Sequence, residues 1–156
     1  RLTVAGSGPE RQALEQLASE LGIADAVTFT GRLDNEGMAS LYHRADAMIN
    51  PSLADNMPIS ILEALASGVP VVSTDVGGIP YLVEHGKTAL LVPVRNPQAM
   101  ADAIVSLLAD PGRADKLRQA GLEAARQYAW ANVHERLLDV YQDVLAKSCR
   151  AMVASK

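Results

Sequence analysis

Several kinds of residue and run are scarce or missing in these 156 residues, and each absence closes a route. Cys149 is the only cysteine, so no intrachain disulfide can form; nothing near it resembles a nucleophile's setting, and a reducing, cytoplasmic compartment is expected. No apolar run reaches the roughly 18 residues that a membrane span requires, and the first residues lack a signal-peptide pattern. A surplus of positive charge is missing too. The formal net charge of −4 argues against a nucleic-acid surface or a polybasic membrane surface. His43, His85 and His134 have no metal-ligand spacing, no Asp-x-Asp pair occurs, and neighbouring segments assemble no Ser-His-acid set. A strand candidate begins at Leu2 with no lead-in and no initiator methionine, so the chain is expected to be a piece of something longer.

What is present is organised around Pro51 to Thr74, which reads as a loop, a helix and a buried strand. Asp55 and Asn56 are good N-cap types, Pro58 falls in a first turn that tolerates a missing N–H, and Gly68 followed by Pro70 is a stop. The helix is therefore expected over Met57–Ser67. At 3.6 residues per turn, Ile61, Leu62, Leu65 and Ala66 gather on a core face, and Ser60, Glu63, Ala64 and Ser67 on a small polar one. The N–H groups around Asn56, Met57 and Ile59 form a candidate anion site, where peptide dipoles favour a phosphate. Asp55 and Glu63 are separated by seven residues. A rise of 1.5 Å per residue puts them on the order of 10 Å apart, too far to share one proton and suited to two parts of one elongated ligand. An ordinary capped helix with a solvated Glu63 is the plainer alternative.

The rest of the chain alternates. Strands are expected at Leu2–Gly6, Val27–Gly31, Ala47–Asn50, Val69–Thr74 and Ala89–Pro93. A first helix, with Leu14, Leu17, Ala18 and Leu21 as its buried stripe, ends near Leu21–Gly22, and a second runs from Asn35 to Arg44. Three further helices are expected at Pro97–Ala109, Pro111–Tyr128 and Trp130–Lys147. Met100, Ile104, Leu107 and Leu108 mark the first of these; Trp130, Val133, Leu137, Tyr141 and Val144 mark the last, read as core. This order predicts one α/β domain, a Rossmann-like three-layer parallel sheet with helices on both faces and ligands beyond the strands' carboxyl ends. Gly6-x-Gly8 opens a tight turn, but Arg11 stands where a dinucleotide fingerprint needs its third glycine, which disfavours a nicotinamide-dependent oxidoreductase. Gly77–Gly78 fits either a close ligand approach or a plain turn.

The central run resembles the signature of glycosyltransferase family 4 (group 1), the retaining sugar-nucleotide-dependent enzymes of the GT-B fold, whose motif is Glu-x7-Glu within Pro-Ser-x-x-Glu-Gly-Phe-Gly-x-x-x-x-Glu-Ala. Pro51, Ser52, Glu63, Ala64, Gly68, Pro70, Val71 and Val72 match. Asp55 replaces the first Glu, Asn56 a Gly, Met57 a Phe and Pro58 a Gly. The shorter acid loses about 1.5 Å of reach, and Pro58 removes one N–H. Gly6-Ser7-Gly8-Pro9-Glu10 resembles the family's Gly-x-Gly-Pro-Glu turn, and Tyr81 stands where Gly-Gly-x-Pro is usually followed by Glu.

The resemblance implies the C-terminal, donor-binding lobe of a GT-B enzyme, with its first strand and helix missing together with the basic pair they carry for the diphosphate. It implies a UDP- or GDP-hexose donor, no metal requirement and front-face transfer to a glycan, lipid or small-molecule acceptor without a protein nucleophile. Asp55 then holds the sugar, Glu63 the ribose, the segment Asn56, Met57, Pro58 and Ile59 the phosphates, and Gly31, Arg32 and Leu33 the base, with Gly6 and Gly8 in the first loop. The implied partner is an N-terminal lobe of the same protein, which the terminal helix at 130–147 crosses back to brace; where the missing strand would sit mid-sheet, the chain is expected to tolerate a gap, to rearrange, or to borrow a strand from a second copy in a homo-oligomer. Without that lobe the helix's apolar face is left exposed. A cytoplasmic protein, with peripheral contact at the inner membrane face through that lobe, is the implied location. The rival is a non-catalytic GT-B-like binding or self-association module, motivated by the substitutions from Asp55 to Pro58 and at Tyr81.

Overall fold

The elements follow the expected alternation. A computed structural model describes the backbone of residues 1–154 and the side chains of residues 1–147, so Cys149 lies outside the described side chains. Its contacts divide into two compact units, Arg1–Arg44 and Ala45–Lys156.

The first unit runs β1 (Leu2–Ala5), α1 (Arg11–Glu20), a 3-10 turn (Ala24–Ala26), β2 (Val27–Gly31) and α2 (Asn35–His43). β1 and β2 pair in parallel, Leu2 opposite Val27 and Val4 opposite Phe29, before the register slips and Ala5 faces Gly31. Asp34 starts α2 by accepting the Gly37 N–H at Oδ1, 2.8 Å away. Only Ala18 and Tyr42 are buried in this unit. Leu14, Leu17 and Leu21, expected as the buried stripe of α1, are exposed by 44%, 48% and 63%. Two strands about 5 Å apart make too narrow a floor to cover a helix face, whatever its periodicity.

The second unit contains β3 (Met48–Asn50), α3 (Ile59–Ala66), β4 (Val71–Thr74), α4 (Ile79–Leu82), β5 (Leu90–Val92), α5 (Pro97–Ala109), α6 (Pro111–Arg126) and α7 (Trp130–Ala154). Its strands form a parallel ladder in the order β3-β4-β5. Asn50 lies opposite Ser73, and Thr74 opposite Val92. All four β4 residues are buried, as expected of a strand covered on both faces. Val72, Leu90 and Val92 join Met100, Leu107 and Leu117 in one core cluster. α5 packs against β4 and β5, and α3 against β3, β4 and α6.

The expected α/β architecture, with strands all parallel and flanked by helices, is therefore present, and its five strands pair as a two-stranded and a three-stranded ladder. α4 and the 3-10 turn are additions to the expected elements.

Beyond α1, expectations for three further helices need correction. α3 starts at Ile59, two residues late, because Pro58 is itself the N-cap, in extended conformation at ψ 107°. Its buried residues are Ile61, Ala64 and Leu65, while Ala66 is exposed. The closeness of α6 moves the buried arc: a Cβ on Gly121 would lie 2.7 Å from Leu65 Cδ2. Leu108 is 58% exposed, not core. The stripe of α7 is also exposed, Trp130 by 70%, Val133 by 37%, Leu137 by 39%, Tyr141 by 56% and Val144 by 55%. The reading of Trp130 and Tyr141 as core does not hold, and the apolar face stands open.

Candidate functional site

At the carboxyl end of the three-stranded ladder, polar side chains sit where periodicity alone would put hydrophobes. Thr74 Oγ1 donates to the Ser52 carbonyl at 2.6 Å. Ser52 Oγ donates to Asn50 Oδ1 at 2.8 Å, and Asn50 Nδ2 donates to Ser73 Oγ at 3.3 Å. Ser73 Oγ turns to the Thr74 carbonyl at 3.3 Å. Asn50, Ser73 and Thr74 are buried, and among the described residues no buried side-chain polar atom lacks a partner. A satisfied buried network of this kind fixes geometry, since each broken bond strands a desolvated group. Here it fixes how the chain leaves β3.

From Ser52 the loop runs to Asp55, which is half-buried and accepts the Met57 N–H at Oδ1, 3.2 Å away. That turn delivers the chain to Pro58. Asp55 and Asn56 therefore precede the cap without being it, and no side chain caps the α3 N-terminus. Pro58 is buried, whereas Met57 and Ile59 are 52% and 67% exposed. Glu63 is exposed, beside half-buried Ser60; Ala64, expected on the same polar face, is buried. The second unit thus brings Asp55, Asn56, Met57, Pro58, Ile59 and Glu63 together along one loop and the first turns of one helix.

The Gly77–Gly78 pair has a cause that neither of its sequence readings contains. The Gly78 N–H donates to the Asp55 carbonyl at 2.9 Å. A Cβ on Gly77, whose φ is +57°, would sit 2.0 Å from the Asp55 carbonyl oxygen, and one on Gly78 would sit 1.7 Å from that of Asn56. The glycines let the loop after β4 lie directly on the Asp55–Asn56 backbone. Sequence reasoning missed Asn50, Ser73, Thr74 and this contact. The available signal was a run of polar residues closing two otherwise apolar strands.

In the first unit the remaining candidates gather at the same end of their own ladder. The Gly6 N–H donates to the Gly31 carbonyl at 2.8 Å, and Arg32 Nε donates to Ser7 Oγ at 3.0 Å. Gly6 and Gly31 need their glycines, at φ +124° and +70°. Gly8 precedes α1, its carbonyl accepting from the Arg11 N–H at 3.3 Å. Leu33 is half-buried. Arg11 forms an ion pair with Glu15 at 2.8 Å and lies 5.9 Å from the Phe29 ring centroid. These residues belong to one unit, and the Asp55–Glu63 segment to the other.

Two open depressions of the second unit lie apart from that segment. One, of about 620 Å³, is lined by Tyr81, Glu84, Lys87 and residues of α6 including Glu123. The other, of about 560 Å³, is lined by Asp75, His85 and residues 91–94. Lys87 is held above its ordinary pKa by its hydrogen bond to Glu84 and then by that carboxylate's charge. Among the described residues no group of three or more His, Cys, Asp and Glu could hold a metal, and no helix is long and apolar enough to cross a membrane.

Parallel strands flanked by helices, with the candidate residues on carboxyl-end loops, define a Rossmann-like lobe of the GT-B kind. Over residues 1–110 the chain matches the family described as Glycosyl transferases group 1, and it belongs to that family.

It is 39% identical over 141 residues to D-inositol 3-phosphate glycosyltransferase of Corynebacterium urealyticum, covering 90% of this chain and 33% of that protein. To the GDP-mannose-dependent alpha-(1-6)-phosphatidylinositol monomannoside mannosyltransferase of Mycobacterium tuberculosis it is 36% identical over 146 residues, covering 88% and 38%. Sucrose-phosphate synthase from Thermosynechococcus elongatus superposes with a TM-score of 0.82 at 32% identity, over 93% of this chain and 38% of that one. The chain spans about a third of the length of the curated relatives it matches. It is a glycosyltransferase domain related to nucleotide-sugar-dependent transferases.

Proposed function

We propose that the protein containing this chain is a retaining glycosyltransferase that moves a hexose from a UDP- or GDP-sugar to a glycan, lipid or small-molecule acceptor, and that this chain binds the donor. One observation carries the reading. A helix whose N-terminus no side chain caps begins directly after a loop pinned at Asp55, and it carries an exposed Glu63 one turn along. Orphan N–H groups and the helix dipole favour an anion at such a terminus. The diphosphate lies there, near Ile59 and beside Met57, whose own N–H is given to Asp55, with no donor from Pro58. Glu63 takes the ribose diol and Asp55 a hydroxyl of the transferred sugar. As the glycosidic bond lengthens, negative charge grows on the leaving diphosphate, and dipoles already in place stabilise it without reorganising.

The GDP-mannose dependence named for the Mycobacterium tuberculosis relative supports testing guanosine as well as uridine donors. In calorimetric titration of the full-length protein, UDP or GDP binds in the micromolar to millimolar range usual for enzyme substrates, and Glu63→Ala weakens binding at least about tenfold. No heat from either nucleotide, with Glu63→Ala indistinguishable from the unaltered protein, ends the reading.

The open face of α7 supports a second reading, a GT-B-like module that binds or self-associates without catalysis, strand exchange between two copies included. A full-length protein that turns over no common nucleotide-sugar and sediments as a stable oligomer through this domain would favour it.

A further inference from the structure

We propose that Thr74 and Gly78, neither of which reaches the donor, are positioning residues that hold Asp55 where it meets the transferred sugar; this rests on the donor reading above. Two contacts from the β4 side clamp the segment between Ser52 and Asn56. Upstream of Asp55, the Thr74 hydroxyl donates to the Ser52 carbonyl at 2.6 Å from a side chain that is only 3% exposed. At Asp55 itself, the Gly78 N–H donates to the carbonyl at 2.9 Å. The contact tolerates no side chain, because a Cβ on Gly78 would overlap the Asn56 carbonyl at 1.7 Å. Downstream, Asp55 Oδ1 accepts the Met57 N–H at 3.2 Å, a bond within the same loop that does not tie it to β4. Glu63 has a different support. It is carried by α3, whose Ile61, Ala64 and Leu65 are anchored in the core. The two segments therefore answer to different constraints: strand-end hydrogen bonds hold the Asp55 loop, and hydrophobic packing holds the helix that carries Glu63.

That separation gives the test. Thr74→Val keeps the shape and removes the hydroxyl, leaving the half-buried Ser52 carbonyl without this partner, whereas Thr74→Ser restores a donor. Full-length protein, Thr74→Val, Thr74→Ser and Gly78→Ala are compared in two assays. One is calorimetric binding of UDP and GDP, which carry no hexose and so do not need Asp55. The other is breakdown of UDP-glucose and GDP-mannose, in which water takes the hexose and UDP or GDP leaves.

Thr74→Val is expected to bind the nucleoside diphosphate within about twofold of the unaltered protein while kcat for breakdown falls about tenfold, the effect of misplacing one reactive contact. Thr74→Ser recovers most of that loss, and Gly78→Ala shows the same split more strongly if it folds. Val72→Ala, a core deletion in the same strand, lowers the melting temperature without separating binding from turnover. Breakdown by Thr74→Val at the unaltered rate, or a loss shared equally by nucleotide binding and turnover and not recovered by serine, overturns the positioning role and leaves the donor site standing. An unaltered protein that neither binds UDP or GDP nor breaks down either sugar overturns the donor site, and this inference with it.

Discussion

Asp110 does two jobs in succession. It ends α5 and starts α6, its Oδ1 accepting the Arg113 N–H at 3.0 Å. Asp110→Ala should cost about 1 kcal/mol in a denaturant titration, the usual worth of such a cap, whereas the glycosyltransferase reading assigns Asp110 no role in turnover. Gly121→Ala should cost about 1–3 kcal/mol, since its Cβ meets Leu65, which is 1% exposed, at 2.7 Å. Lys87 gives the opposite lesson. Its pKa is raised in the folded state by Glu84, so any stability it adds is present below its unfolded pKa and is lost as pH rises through the folded one. The pair is exposed on both sides, and Lys87→Ala should leave the melting temperature near neutral pH unchanged within about 2 °C. Asp110 was not read as a cap although its partner lies only three positions away, and the residues that were, Asp55 and Asn56, precede the cap of α3. Gly78 was legible only as a glycine, because what crowds it, the Asn56 carbonyl, lies twenty-two residues earlier in the chain.

Among the elements, helices with a strong local start begin where expected. α5 and α6 begin at Pro97 and Pro111 as expected, each with a proline inside its first turn. α3 begins two residues later than expected: Asp55 and Asn56, read as caps, precede the helix, and Pro58, read as a first-turn residue, is its N-cap. Only the bond from the Met57 N–H to Asp55 and the extended Pro58 settle which of them lies outside the helix. α7 has the clearest amphipathic spacing after α1, and both helices leave that face to solvent. Periodicity reports that a face is fit for burial and is silent on what buries it. Replacing Leu137, Tyr141 and Val144 together with glutamine should therefore leave the unfolding midpoint of this 156-residue chain nearly unchanged while reducing its self-association in light scattering. A fall in the midpoint of several degrees would show that the face is already covered.

Taken as a whole, the molecule is uneven. Residues 1–44 bury only Ala18 and Tyr42, whereas the second unit carries the connected cluster around Val72, Leu90 and Leu107. Native-state hydrogen exchange should find the amides of β1 and β2 opening at lower free energy than those of β4, whose four residues are all buried. The sequence by itself determined the alternation of strands and helices, the parallel α/β class, and the run from Pro51 to Thr74 as a loop, a helix and a strand. Those follow from spacing and turn residues, which act over a few positions along the chain. The tertiary structure alone decided that the strands pair as two ladders, that the face of α1 stays open, and that the glycines after β4 serve the backbone of Asp55 and Asn56. Each of these depends on which distant segment arrives alongside, and no local pattern encodes that arrival.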